Sequence, residues 1–331
     1  MDNKKILLSR IFPQEGTEIL KRAGFTVTEQ KSDEPLSHED LIEQAQQHHV
    51  LYCTLSDKID NHFIQSCSHL EHIAQFAVGY DNIDVAEATK LKIPVSYTPG
   101  AMTEATADIA FGLMIATARK MFFQHKNIIR GNWKSFYPTA NLGIELKGKT
   151  LGIFGMGRIG MAMAERCRNA YNMRILYVSR KAKPEAEAKF GAEKVDFETL
   201  LKESDVISPH TALTEETKGL FDKAAFSKMK SSALFINTAR GQVHNEEDLI
   251  EAIKTGQIWG AGLDVTNPEP MRPDNPLLAM ENVTVLPHIG SGTIEARTEM
   301  SRMAARNIID FYQKGTIPNP VNPGVLKEIS F

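Results

Sequence analysis

Three aliphatic runs in the second half of the chain each give way to a polar residue that can do chemistry. ALFINTA is followed by Arg240. GAGLDV delivers Asp264 and, five residues on within NPEP, Glu269, and NVTVLP leads to His288 ahead of the loop IGSG. Open α/β sheets place their ligands just beyond the carboxyl ends of strands, where all of these residues fall. One cation, one carboxylate and one imidazole suffice for hydride transfer to a keto acid. The guanidinium binds and polarises an anionic substrate, the imidazole exchanges a proton, and the carboxylate holds the imidazole and favours its charged form. Singly, each residue has a plainer use. Arg240 before Gly241 could cap a helix or pair with Glu246, Glu269 between prolines suits a turn, and His288 suits packing after a strand. Taken together behind a nucleotide-binding loop, the catalytic use gains over the plain one.

Such a loop is present. Gly155-Met156-Gly157-Arg158-Ile159-Gly160 lies between the aliphatic run TLGIF and the helix-forming MAMAERC. In this frame Gly155 permits the tight turn, Gly157 lets the backbone approach a pyrophosphate, and Gly160 allows close packing of helix on strand. The N-terminus of the helix then offers unpaired N–H groups to phosphate. A site for NAD normally supplies Asp or Glu about twenty residues further on. This chain has no acidic residue between Glu165 and Glu185, and the run ILYV ends in Ser179, Arg180 and Lys181, with Lys183 close behind. A hydroxyl and a guanidinium there suit a ribose 2′-phosphate, so NADP(H) is expected in preference to NAD(H). The alternative is a group of ordinary surface cations.

The elements that must position these residues follow a βαβ cadence. KILLSR, HVLYCTL, LEHIAQFAVG and KIPVSYTPG read as strands of a small parallel sheet, with EGTEILKRAG as a helix closed by Gly24. TEATADIAFGLMIATARK reads as a long buried helix. After a loop around Trp133 the cadence resumes with KTLGIF, a helix to about Asn169, RILYVSR, DVISPH, SALFINTAR, WGAGLDV and NVTVLPH. A last helix from about Thr293 to Lys314 follows the second sheet and is expected to return to the first domain. The expected fold class is α/β, two Rossmann-like or flavodoxin-like domains with a cleft between them. Residues 1–99 and 291–331 form the substrate-binding domain, and 100–290 the nucleotide-binding domain.

Bulk properties exclude several classes. At 331 residues, 42% hydrophobic and 24% charged, the chain is an ordinary globular protein. A formal net charge of −3 gives no footprint for nucleic acid or an acidic membrane. Cys53, Cys67 and Cys167 are scattered, which suits a reducing cytosol and neither a disulfide framework nor a zinc site. No apolar stretch approaches the length of about twenty residues needed for a membrane span, and MDNKKILLSRIF lacks the apolar core of a signal peptide. A cytoplasmic protein without a metal is expected.

The order GMGRIG, INTARG, AGLDV with PEP, and LPHIGS resembles the D-isomer-specific 2-hydroxyacid dehydrogenase family. AVGYDNID and TEATADIA extend the resemblance over essentially the whole chain, and ILYVSR with MKSSALFIN is most similar to its glyoxylate/hydroxypyruvate reductases, some of which also reduce 2-ketogluconate. The resemblance implies a homodimer built largely through the nucleotide-binding domains and gives Arg240, Glu269 and His288 the roles stated above. It implies further that the Val78 and Gly79 amides meet the substrate carboxylate, with Leu55 nearby. Thr106, Thr238, Asp264 and Gly290 are implied around the nicotinamide, and His210, Thr211 and Thr217 along the cofactor. Where the family commonly has proline-leucine-threonine, this chain has Ala212-Leu213-Thr214. The expected partner is a small 2-keto or 2-hydroxy acid. Other readings are a nucleotide-sensing, co-repressor-like interaction protein and an enzyme similar to phosphoglycerate dehydrogenase. The latter is disfavoured by a chain with no room for a regulatory domain and by the NADP expectation.

Overall fold

The computed structural model describes residues 3–329. The chain divides into two compact units: one is the chain up to Met102 together with the chain from Gly292 onward, the other Thr103–Ser291.

In the first unit β1 (Lys5–Leu8), β2 (Thr26–Thr28), β3 (Val50–Cys53), β4 (His72–Gln75) and β5 (Val95–Ser96) form a parallel sheet in the order β2-β1-β3-β4-β5. This is the flavodoxin-like order. Helices α1 (Gln14–Arg22), α2 (His38–Ala45), α3 (Asn61–Ser66) and α4 (Val85–Lys90) connect the strands. Ser37, Asp60 and Asp84 start the last three by accepting the N–H groups of Asp40, Phe63 and Glu87. Both faces of the sheet are apolar, as a covered parallel sheet requires. Leu7, Leu51 and Ile73 meet Leu41, Phe63 and Ile64 on one side, and Ile6, Leu8, Val50 and Tyr52 form the other. The run Phe76–Gly79, read from the sequence as strand, lies beyond β4 as loop.

The second unit opens with α5 (Thr103–Ala118), α6 (Met121–Ile129) and then β6 (Thr150–Phe154), α7 (Arg158–Tyr171), β7 (Arg174–Val178), α8 (Pro184–Phe190) and β8 (Glu193–Lys194). It continues through α9 (Phe197–Glu203), β9 (Val206–Pro209), α10 (Lys223–Lys228), β10 (Leu234–Asn237), α11 (Glu246–Lys254), β11 (Gly260–Leu263) and β12 (Val283–Val285). The seven strands pair in parallel as β12-β11-β10-β9-β6-β7-β8. The order reverses between β6 and β9, and that switch point is where such a sheet binds a dinucleotide. Helix α5 is apolar on most sides because α7, β10 and β11 all pack on it. Helix α6 was not legible in the sequence, and none of its residues is buried.

The last helix, α12 (Ile294–Lys314), belongs to the first unit, where Ala304, Ala305 and Ile308 cover the Ile6 and Val50 face and the helix packs along α1. Among the described residues no helix is long and apolar enough to cross a membrane.

Candidate active site

The strands of the second unit stop short of the chemistry. β10 ends at Asn237, β11 at Leu263 and β12 at Val285, so Arg240, Glu269 and His288 all sit on loops three to six residues beyond. Each loop is tied down by buried polar groups. Asn237 is fully buried, accepts the Ala239 N–H at 2.9 Å and donates to the Arg240 carbonyl at 2.8 Å. The carboxylate of Asp264 accepts the N–H groups of Ile289 and Gly290 at 2.8 and 2.7 Å, and its carbonyl accepts the His288 N–H at 2.9 Å. This clamp holds His288 at φ 52, in the left-handed region that a side chain rarely occupies unless its surroundings enforce it. Burial raises the pKa of Asp264, against the pull of the two N–H groups and of His288.

Glu269 lies between two cis peptide bonds, Asn267–Pro268 and Glu269–Pro270. Thr266 donates its hydroxyl to Pro268 O at 2.8 Å, while Glu246 accepts from Asn267 N at 3.2 Å and from Asn275 Nδ2 at 2.6 Å. Gly241 is what lets the Arg240 loop lie against this one, since a Cβ there would stand 1.9 Å from the Thr266 carbonyl oxygen. The result is a hydrogen bond of 2.5 Å between His288 Nδ1 and Glu269 Oε1. A carboxylate can only accept, so Nδ1 carries the proton and Nε2 is the nitrogen left for proton exchange. Burial pushes the Glu269 carboxyl up, but the hydrogen bond and charge of His288, the Thr266 N–H and the charge of Arg240 outweigh it and hold the group below its ordinary value. It is therefore an anion at neutral pH, beside an imidazole.

The glycine loop is shaped for a dinucleotide. Gly155 has φ 99, and a Cβ there would come within 2.4 Å of the His210 carbonyl oxygen. Met156 is buried, Arg158 is exposed and Ile159 half-buried, and Gly160 is enclosed in the first turn of α7. Gly157, the N-cap, makes no side-chain cap hydrogen bond, so first-turn N–H groups remain for an outside acceptor. The Thr238 hydroxyl is buried with no partner among the described residues. Thr106 donates to the Gly290 carbonyl at 3.0 Å, which brings Thr106, Gly290 and Asp264 together. A tight positive-φ turn, an uncapped helix start and an orphaned hydroxyl suit a bound dinucleotide.

Other expected cofactor residues are placed differently. His210 is half-buried with Nε2 3.0 Å from Ser208 Oγ, and enclosure lowers its pKa to about 4, so it is a neutral ring. Thr217 spans its own turn, donating to Ala212 O at 2.8 Å and accepting from Thr214 N at 2.8 Å, while the Thr211 hydroxyl makes only a 3.4 Å bond to Ala212 O. The turn with Ala212 in place of proline is thus closed by a side chain. Ser179 donates to the Lys181 carbonyl, and Arg180 and Lys181 are exposed at the end of β7.

Leu55, Val78 and Gly79 lie on two loops of the first unit that the sequence did not show to be linked. Gln75 donates to Gly79 O at 3.1 Å and to Asn82 Oδ1 at 2.8 Å, and Asn82 donates to Thr54 O and Asp57 O at 3.1 and 2.8 Å. Gln75, Asn82 and Asn237 were missed, and Glu246 was read only as a possible partner of Arg240. For Gln75 and Asn237 the available signal was a polar residue ending an aliphatic run.

The family model for the D-isomer specific 2-hydroxyacid dehydrogenase NAD binding domain matches residues 111–290. The glyoxylate reductase of Thermococcus litoralis is 44% identical over 97% of this chain and 98% of its own length. The glyoxylate reductase/hydroxypyruvate reductase of Mus musculus is 41% identical over 92% of this chain and 94% of its own. Among solved structures, the NADPH-dependent glyoxylate/hydroxypyruvate reductase of Sinorhizobium meliloti in complex with NADP and malonate has a TM-score of 0.85 at 28% identity, covering 97% of this chain and 98% of that one. The glyoxylate reductase from Paecilomyes thermophila has a TM-score of 0.86 at 33% identity, covering 97% and 99%. With a dinucleotide loop at the switch point of its second sheet and relatives matching nearly its full length, the chain belongs to the D-isomer specific 2-hydroxyacid dehydrogenase family of oxidoreductases.

Proposed function

We propose that the chain reduces a small 2-keto acid, glyoxylate, hydroxypyruvate or 2-ketogluconate, to the D-2-hydroxy acid, using NADPH in preference to NADH. The observation that carries the reading is the 2.5 Å contact of His288 Nδ1 with Glu269 Oε1. A bound reduced nicotinamide supplies the hydride for the carbonyl carbon. His288, protonated at Nε2, gives its proton to the oxygen as charge develops there, and Glu269 holds the ring and balances its charge. Arg240 binds the substrate carboxylate and polarises the carbonyl. Leu55, Val78 and Gly79 are included as substrate contacts on the strength of the resemblance alone. Ser179 and Arg180 form the seat for the 2′-phosphate, supported by the absence of an acid after β7 and by the NADP-bound relative.

The same reading assigns the unit containing Val78 to substrate and the Thr103–Ser291 unit to cofactor, and takes the chain as a cytoplasmic homodimer. Three buried free thiols suit a reducing compartment. Exposed apolar side chains in and after α6 support an interface with a second copy.

Initial rates with glyoxylate, hydroxypyruvate and 2-ketogluconate, each with NADPH and NADH, test all of this. Rapid NADPH oxidation with one of them is expected, and the ranking names the substrate. Equal efficiency with the two cofactors would remove the 2′-phosphate seat. No turnover despite tight NADPH binding would leave a nucleotide sensor.

A further inference from the structure

The loop that carries the basic cluster is not held by the groups that usually hold such a loop. β7 ends at Val178, α8 begins at Pro184, and the N-cap Lys183 makes no side-chain cap hydrogen bond. In place of a cap, a core residue reaches up from the sheet. Tyr177 is fully buried, with its ring in the same apolar cluster as Ala186 and Phe190 of α8. Its phenol oxygen accepts the Lys183 N–H at 2.8 Å and donates to Glu187 Oε1 at 2.5 Å. Ser179 then turns the chain inside this ring by donating to the Lys181 carbonyl. One hydroxyl therefore joins the end of β7, the end of the loop and the first turn of α8. A buried tyrosine needs some partner for its hydroxyl. Here the partners are the two groups that fix where residues 179–183 return to the helix.

We infer that Tyr177 and Glu187 are positioning residues for cofactor choice, holding the Ser179–Lys183 loop so that Arg180 meets a ribose 2′-phosphate without first having to be ordered. The inference rests on the proposed 2′-phosphate seat. A loop ordered only on binding would subtract its ordering cost from the phosphate contact. A cofactor without the 2′-phosphate makes no use of Arg180 and is less sensitive to the loop.

The ratio of kcat/KM with NADPH to kcat/KM with NADH is the readout, measured on the full chain with whichever keto acid it reduces. Tyr177→Phe and Glu187→Ala are each expected to lower this ratio about tenfold, through the KM for NADPH and not through kcat. Glu187→Gln keeps an acceptor for the phenol and is expected to restore most of the ratio. Glu187 is exposed, so its variants fold even if Tyr177→Phe does not. In the cofactor-free protein, the Lys183 amide should exchange with solvent faster in Tyr177→Phe than in the wild type. Arg180→Ala separates the two levels. If it lowers the ratio while Tyr177→Phe and Glu187→Ala leave it within twofold of wild type, the seat stands and the positioning role is wrong. If Arg180→Ala leaves the ratio unchanged, the seat itself is wrong and the positioning role falls with it.

Discussion

At the scale of single residues, the site is an imidazole held in an unusual backbone conformation by groups that do no chemistry. His288 has φ 52 because three hydrogen bonds to Asp264 fix the backbone on and after it. Its ring orientation is fixed in turn by Glu269. Replacing the ring with an amide keeps the size and removes the imidazole that the proposed mechanism uses as its acid. His288→Gln should lower kcat by about 10²- to 10⁴-fold in steady-state assays, and near-normal turnover would exclude it as the acid. Arg240, Glu269 and His288 were legible in the sequence because a charged or titratable side chain follows an aliphatic run. The groups that hold them were less so. A buried asparagine such as Asn237 serves the backbone, and its partners are set by a loop whose path composition does not reveal.

At the scale of elements, legibility followed apolar content. Strands with three or more aliphatic or aromatic positions, such as β3 and β7, were clear. The three-residue β2 and the exposed pair that makes β8 carry no period to detect. Helix α6 was missed because its apolar residues point outward and look like a loop rich in hydrophobics. Strand ends were placed too late, since a loop held by buried hydrogen bonds can be as apolar as the strand before it. The meeting of the loops after β10 and β11 depends on Gly241. The neighbour there is backbone and cannot swing aside. Gly241→Ala should therefore cost about 1–3 kcal/mol in urea unfolding. It should also lower kcat/KM by about 10- to 100-fold by displacing Arg240. Full activity would show that the two loops need not touch.

At the scale of the whole molecule, each unit encloses a neutral imidazole. Burial pushes His72 in the first unit down to about 3 and His244 in the second to about 4. In the unfolded chain each titrates near 6.5, so between about 6.5 and the folded value only the unfolded state binds the proton. Stability is therefore lost as the pH falls through that window, by about 1.4 kcal/mol per unit for each ring, and neither ring affects it above about 6.5. Calorimetry should find a Tm level down to about pH 6.5 and falling below it; a Tm that rises on acidification would contradict the burial. The outward-facing side chains in and after α6 bear on assembly. Ile129, Trp133 and Phe136 are 73%, 71% and 85% exposed. Light scattering should give twice the 36.9 kDa chain mass for the wild type and one chain for Trp133→Ser with Phe136→Ser, and a monomeric wild type would end the dimer reading.

The return of α12 to the first unit also sets an order of events on the ribosome. The second unit, Thr103–Ser291, is translated whole before any of α12 exists. At about 5–20 residues per second, that delay is roughly 10–40 s. Throughout it, the nascent sheet formed by Ile6, Leu8, Val50 and Tyr52 lacks the Ala304, Ala305 and Ile308 surface that covers it in the finished protein. The nucleotide-binding half is thus complete first in time, and the other unit waits with one apolar face bare until α12 is made.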